Sequence, residues 1–349
     1  MSSTPAMVIS GYTEEGSGTG PGLVRFAVNG RGLIGESQAR ATDLRNPSFV
    51  AAAGEVLLAV EELAVGNVVA LDLSTLQVLA RTPSGGADPC HVALVGDTVW
   101  AAHYTSGTAA ALDFSALLAK KAPLTPKLLA HAGISADGGH AHQVTATPWG
   151  TVLVADLGAD SVDEYDAGSY ARLGSAQLPQ GAGPRHVALK GQFLLVAGEL
   201  DGQVHVFARE PQDQAQNSWQ WLFKVPLAEN AEEISSARQF HPSHIELSAD
   251  ESKLYAAVRG PNTLVVLDVT GLSSDPSSQL RPREPKFLQQ VSCGGNWPRH
   301  FTLAHHKMYV ANQLSNNVAV FDFDDRGLLH DKPVQSVDFG SPTCIVPLN

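Results

Sequence analysis

In "GPRHVALKGQFLLVAGELDGQVHVF", residues 183–207, Arg185 and His186 stand at the start of one apolar run and Glu199 at the end of the next. Arg259 closes a similar run in "LYAAVRGPN", and "GGHAHQ" sets His140 two residues before His142. A carboxylate, imidazoles and guanidiniums suit a small anionic substrate whose carbonyl or double bond must be polarised. Guanidinium forks bind carboxylate or phosphate. Glu or His can activate water for attack on an ester or move a proton beside a carboxylate, and an Arg can stabilise the developing oxyanion. Other chemistries find less support. No GxSxG elbow presents a serine nucleophile. The HxH of His140 and His142 lacks an evident third metal ligand, and Asp156 and Asp160 in "DLGAD" are explained more simply as turn caps. The expectation is a site with neither metal nor cofactor. The glycines of "EEGSGTGPG" do not fit GxGxxG and read as a loop, not a nucleotide cradle.

Residues scattered over such distances need a scaffold, and the chain repeats itself. "NPSFVAAAGEVLLAVEE", "DPCHVALVGDTVWAAHY", "HAHQVTATPWGTVLVADL", "GPRHVALKGQFLLVAGE", "HPSHIELSADESKLYAAVR" and "WPRHFTLAHHKMYVANQ" share one pattern. Each is followed by a Gly/Asn/Asp/Ser turn and a third apolar run such as "NVVALDL", which predicts strand, turn, strand, turn, strand, with room for a fourth strand in the variable spacer. The marker residues Phe49, His91, His142, His186, His244 and His300 lie 42 to 58 residues apart, a blade-sized period. "SPTCIVPLN" repeats only the first strand, with Cys344 in the marker place, whereas "MVISGYT" and "GLVRFAVNG" resemble the second and third runs. A seventh blade assembled from both termini leaves no open edge. The expected fold is therefore an all-β, seven-bladed β-propeller occupying residues 1–349 as a single domain, with the spacers around "EPQDQAQNSWQ" and "GLSSDPSSQLRPREPK" as surface excursions. A two-domain α/β arrangement is disfavoured because "SALLAKKAPL" is the best helix candidate and nothing like it recurs.

An internal repeat separates what each blade needs from what it does not. The histidines of the marker column are regular enough to be scaffold, and His91, His244 and His300 are assigned that role, bonding neighbouring backbone. The position before the marker reads Ser48, Cys90, Ala141, Arg185, Ser243, Arg299, Thr343, and two arginines stand out. The end of the second strand reads Tyr12, Glu61, Tyr104, Leu157, Glu199, Arg259, Gln313, a mixture for which a blade has no use. If the first strand lines the channel and the second returns antiparallel, both columns open at one mouth, where Arg185, Glu199, Arg259 and His142 converge. The same pattern also fits an Arg–Glu salt bridge clamping adjacent blades.

Composition narrows the partners. With 23 Lys and Arg against 35 Asp and Glu, the net charge of −12 argues against nucleic acid or an anionic membrane, so any anionic ligand must meet a local arginine cluster. No apolar stretch is long enough to span a bilayer, and "MSSTPAMVISGY" lacks a basic region before an apolar one, which points to a cytoplasmic protein. Cys90, Cys293 and Cys344 show no CxxC spacing and signal neither a disulfide framework nor zinc.

The segments "GGHAHQVTATPWGTVLVADLGADSVDEYD", "GAGPRHVALKGQFLLVAGELDGQVHVF", "LYAAVRGPNTLVVLDV" and "NWPRHFTLAHHKMYVANQLSNNVAVFDFD" resemble the lactonase seven-bladed propeller family, which contains 6-phosphogluconolactonases and carboxymuconate-lactonising enzymes. The likeness is strongest over residues 138–325. It implies metal-independent opening of a sugar lactone, most directly 6-phosphogluconolactone, with Glu199 or His142 as general base and Arg185 and Arg259 binding the anionic part and the oxyanion. It also implies that His140, His186, Arg299 and Gln313 help to bind a small anionic lactone. A carboxymuconate cycloisomerase would use the same groups, and a non-catalytic binding platform would instead scatter its polar residues around the rim. The departures are "VAGEL", where Asn is more usual before the Glu, the turns "TPWG" and "LKGQ", and an Ala-rich stretch in the early blades.

Overall fold

The computed structural model describes residues 5–14, 18–119, 124–130, 138–209, 217–236, 239–273 and 281–348. Among them are 28 strands in seven four-stranded antiparallel blades; the outer strands of blades 4 and 5 meet in a short parallel bridge. The innermost strands, blades 1 to 7, are Pro342–Leu348, Val50–Ala53, Pro89–Val95, Ala141–Ala146, Pro184–Lys190, His241–Leu247 and Pro298–Ala304. Each touches the next, and the last touches the first, so the ring closes. The closure is the expected one: C-terminal Pro342–Leu348 pairs with Ala6–Gly11, followed outward by Leu23–Val28 and Ile34–Ala41. Ser10 Oγ and Thr343 Oγ1 add a buried hydrogen bond at 3.0 Å across that seam. The spacer of every blade supplies a fourth strand. Of the excursions expected around residues 210–220 and 271–286, residues 210–216 and 274–280 lie outside the described residues, while residues 217–220 form the start of the outer strand Asn217–Pro226 of blade 5 instead.

Strand periodicity explains why the runs are apolar throughout. Successive side chains point to opposite faces of a strand, and both faces of a blade are covered by neighbouring blades. In the run "VLLAV", Leu57 and Ala59 therefore pack between blades 1 and 2, while Leu58 and Val60 pack between blades 2 and 3. Seven such clusters, one per blade interface, make up the core. Burying each large aliphatic or aromatic side chain contributes about 1.5–3 kcal/mol. A short helix, Phe114–Leu118, forms where "SALLAKKAPL" begins, capped by Asp113 Oδ1, which accepts from Ala116 N–H. A second helix, Ala231–Ser236, was not signalled by the sequence pattern.

Two local features set the mouth. The pairing of inner and second strands shifts register at Pro89/His91, Ala141/Gln143, Pro184/Val187, Pro242/His244, Pro298/His300 and opposite Ser10/Gly11. A bulge places two consecutive residues against one partner and re-aims their side chains, so Arg185 with His186 and Arg299 with His300 both serve the channel end. The second feature is a correction. In blade 2, Val50 pairs with Ala59 as Val92 pairs with Ala101 in blade 3, which makes Glu62 and not Glu61 the counterpart of Tyr104. The backbone agrees, since Glu62 N–H bonds Asn46 O as Tyr104 N–H bonds Asp88 O. Glu61 instead faces away from the mouth, accepting from Arg45 N–H at 3.0 Å and Asn67 Nδ2 at 2.8 Å. A one-residue slip moves a strand's side chain to the other face.

Candidate active site

The mouth formed by the inner-strand starts and second-strand ends holds two arginine–carboxylate clamps. Glu199 Oε2 lies 2.9 Å from Arg185 Nε and 2.8 Å from Arg259 Nη2. Side-chain exposure is 16% for Glu199, 3% for Arg185 and 7% for Arg259, so these charges meet largely out of water. Arg185 Nη1 also donates to Ser243 O, and Arg259 Nε donates to His241 O at 3.2 Å. Among the described residues, Arg185 Nη2 and Arg259 Nη1 have no hydrogen-bond partner and remain available to a ligand. His241 Nδ1, 3.2 Å from Glu199 O, pins the backbone of the carboxylate's own residue.

The second clamp straddles the blade that closes the ring, with Tyr12 on that blade, Arg299 on blade 7 and Glu62 on blade 2. Arg299 Nη2 donates to Tyr12 Oη at 2.7 Å and lies 3.7 Å from Glu62 Oε2, while Tyr12 Oη donates to Glu62 Oε1 at 2.9 Å. Arg299 also lies over the Tyr12 ring, 5.1 Å from its centroid. Three guanidiniums against two carboxylates leave a local excess of one positive charge on a chain of net −12. This is the arginine cluster an anionic ligand requires.

Titration follows from burial and charge. Burial pushes the Glu199 carboxyl up, but Arg259 and Arg185 outweigh it and hold it below its ordinary value. Burial, helped by Arg259, brings the Arg185 guanidinium down to about 9. Burial likewise lowers the Arg299 guanidinium's affinity for its proton, but Tyr12 and Glu62 more than restore it. Burial, then the neighbouring arginines, drive His142 well below its ordinary value, so its imidazole is neutral at physiological pH.

Of the residues singled out in the sequence, His142, Arg185, His186 and Arg299 line one narrow cavity of about 10 Å³, room for a single water, at the channel end. Glu199 and Arg259 join them through the clamp. His142 packs edge-on against His186 and Tyr104, with ring centroids 5.5 and 5.8 Å away, and among the described residues its Nε2 has no hydrogen-bond partner. His186 belongs to the floor: its Nδ1 is 2.7 Å from His244 Nδ1, and its ring touches those of Phe49, His91 and His142. His91 Nδ1 and His300 Nδ1 accept from Val144 N–H and Ile345 N–H of the next blades, each at 3.4 Å, the backbone bonding expected of scaffold. His140 stacks on Tyr104, donates Nδ1–H to Tyr104 O at 2.8 Å, and lines an adjoining groove with Leu157, Asp160 and Leu200. Asp156 caps its turn, accepting from His140, Gly158 and Ala159 N–H groups. Gln313 is half-buried; its N–H donates to Trp297 O, and its Oε1 has no partner among the described residues.

Three residues of the mouth escaped the sequence reading. Glu62 was hidden by the register slip in "VEE". His241 and Trp297 precede the prolines of their blades, and comparing that column would have shown rings where other blades carry Asn46, Asp88 and Gly183.

A family model described as "Lactonase, 7-bladed beta-propeller" matches residues 6–347. The chain is 26% identical over 355 aligned residues to the 6-phosphogluconolactonase of Bacillus subtilis, covering 96% of this chain and 95% of that one. Among solved structures, the periplasmic gluconolactonase of Pseudomonas aeruginosa superposes with a TM-score of 0.83 at 26% identity, covering 99% of each chain. A protein from Lactobacillus plantarum does so with a TM-score of 0.81, also at 26% identity and 99% coverage of each.

Proposed function

The chain belongs to the lactonase family of seven-bladed β-propellers, and from that premise we propose that it hydrolyses a sugar lactone, namely 6-phosphogluconolactone to 6-phosphogluconate, without a metal. The observation that carries the reading is the convergence of Arg185, Arg259 and Arg299 at one mouth, each restrained by a carboxylate. A binding platform with scattered rim contacts has no need of such a set.

The chemistry follows from the groups present. The free donors of Arg185 and Arg259 bind the lactone carbonyl oxygen and strengthen their hold as it becomes an oxyanion. Water attacks the carbonyl carbon while the neutral imidazole of His142 takes its proton. Collapse of the tetrahedral intermediate breaks the bond to the ring oxygen, which receives the proton from His142, leaving a carboxylic acid that ionises. Glu199, held between two guanidiniums at 2.9 and 2.8 Å, sets their aim. Arg299, steadied by Tyr12 and Glu62, takes the phosphate.

A second reading, an unphosphorylated gluconolactone, draws support from the likeness to the Pseudomonas aeruginosa gluconolactonase. The phosphorylated substrate carries a cytoplasmic location with it, since phosphosugars do not cross membranes unaided; the free lactone does not. Initial rates above the spontaneous background on both lactones, wild type beside Arg259→Ala and Arg299→Ala, test the choice. A preference for the phosphorylated lactone that Arg299→Ala abolishes, with both rates lost in Arg259→Ala, supports the first reading. A preference for the free lactone supports the second, and no acceleration of either overturns both.

A further inference from the structure

The residue before the proline position at the entrance to each inner strand (Ala141 stands in that position in blade 4) reads, blade by blade, Ser341, Asn46, Asp88, His140, Gly183, His241 and Trp297. Five of these adopt left-handed backbone: Ser341, Asn46, Asp88, Gly183 and Trp297, the last with φ of 65°. Glycine takes that conformation freely, and Asn and Asp tolerate it. A bulky aromatic residue there is an outlier that persists only where its surroundings impose it. The surroundings do so. Trp297 N–H donates to Asn262 Oδ1 at 2.8 Å, and Trp297 O accepts from Gln313 N–H at 3.0 Å. The half-buried indole faces the mouth, with the Arg259 guanidinium 5.3 Å from its ring centroid and the His241 ring 6.2 Å away.

Nothing in the blade requires an aromatic ring at this point, because Ser, Asn, Asp and Gly build the same turn elsewhere in the ring. Resting on the lactone-hydrolase reading, we infer that Trp297 is a substrate-positioning residue: its indole supports the Arg259 guanidinium and offers an apolar face to the C–H side of the sugar-lactone ring. The indole face attracts the guanidinium through its quadrupole and fixes the direction of a side chain already tied to Glu199. A sugar ring presents hydroxyls at its edges and C–H groups on its faces, so an aromatic face beside an arginine recognises both the ring and its carbonyl. The ligand class is thus a cyclic sugar derivative, whereas a flat, conjugated diacid has no C–H face to offer.

The test exploits the backbone. Trp297→Gly fits the same φ without strain, and that relief offsets part of the unfolded-state entropy glycine adds, so the melting temperature changes by only a few degrees, whereas loss of a merely structural tryptophan lowers it further. The expected kinetic result is a KM for the lactone raised about tenfold with a smaller change in kcat, and near-complete recovery in Trp297→Phe, which retains an aromatic face. Wild-type turnover with an unchanged KM in Trp297→Gly overturns the inference and leaves the lactonase reading standing. A lowered melting temperature with unchanged kinetics assigns Trp297 to structure and overturns it equally. Absence of wild-type turnover overturns the lactonase reading, and the inference falls with it.

Discussion

Replacing Glu199 with glutamine removes one negative charge from between two guanidiniums while keeping the side chain's shape. The contacts at stake are 2.9 Å to Arg185 and 2.8 Å to Arg259. All three side chains are less than one-fifth exposed, so solvent screens little of the change. Removing one partner of a buried ion pair costs about 3–5 kcal/mol, because the other charge is left uncompensated. Here two like charges are left facing each other. If the arginines re-aim, a loss of about 3 kcal/mol in transition-state binding lowers kcat/KM by roughly 150-fold. Stability should fall as well, and a double-mutant cycle with Arg185→Gln should return a coupling of about 2 kcal/mol or more, since the double variant strands one guanidinium, that of Arg259, where Glu199→Gln alone strands two. The sign of the pH dependence is fixed. The Glu199 carboxyl titrates below its ordinary 4.5, so its contribution is present above that value and lost as pH falls through the lowered one. The stability gap between wild type and Glu199→Gln should therefore be full at neutral pH and close in acid. Urea unfolding at several pH values and initial-rate kinetics on the same preparations read both quantities. A variant that keeps kcat/KM within threefold and the same urea midpoint at pH 7 would refute the clamp.

His142→Gln should separate base from clamp: kcat falls about 10²- to 10⁴-fold with KM nearly unchanged, whereas Glu199→Gln alters both; an equal change in KM for His142→Gln counts against its role as base. The buried imidazoles of His91, His142, His186, His244 and His300 all titrate below their ordinary 6.5, with His244 down at about 3, each chiefly through burial. Below pH 6.5 the unfolded chain binds protons that the folded chain refuses, so stability should drop on acidification by about 1.4 kcal/mol per pH unit for each such group; a flat urea midpoint between pH 6.5 and 5 contradicts this. Deleting residues 341–349 removes the inner strand of blade 1 with its buried Cys344 and Ile345 and bares the edge of Ala6–Gly11. The loss exceeds about 5 kcal/mol, enough to abolish a cooperative melt, and a truncated chain that melts within a few degrees of wild type would show that the seam contributes little.

The propeller was legible in the sequence because its signals are local. Alternation of buried faces makes each strand a short apolar run, turns demand Gly, Asn or Asp, and the repeat of both marks seven sheets; the half-repeats at the two ends even foretell the seam between Ser10 and Thr343. The exceptions in the repeat, Arg185, Glu199, Arg259 and Arg299, were legible for the same reason. What those residues do to one another was settled by tertiary structure alone. "VLLAVEE" carries no punctuation that distinguishes Glu61 from Glu62, and only strand pairing turned the second toward Arg299. Tyr12 meets Arg299 across 287 positions of sequence because ring closure brings the ends of the chain together. The strained backbone of Trp297 is imposed by Asn262 and Gln313 from outside its own segment. Glu199 reads in sequence as a lone carboxylate at a strand end, and only the folded ring places a guanidinium on each side of it. Strand patterns follow from neighbours along the chain, whereas charge pairing and proton affinity depend on which groups the closed ring buries against each other.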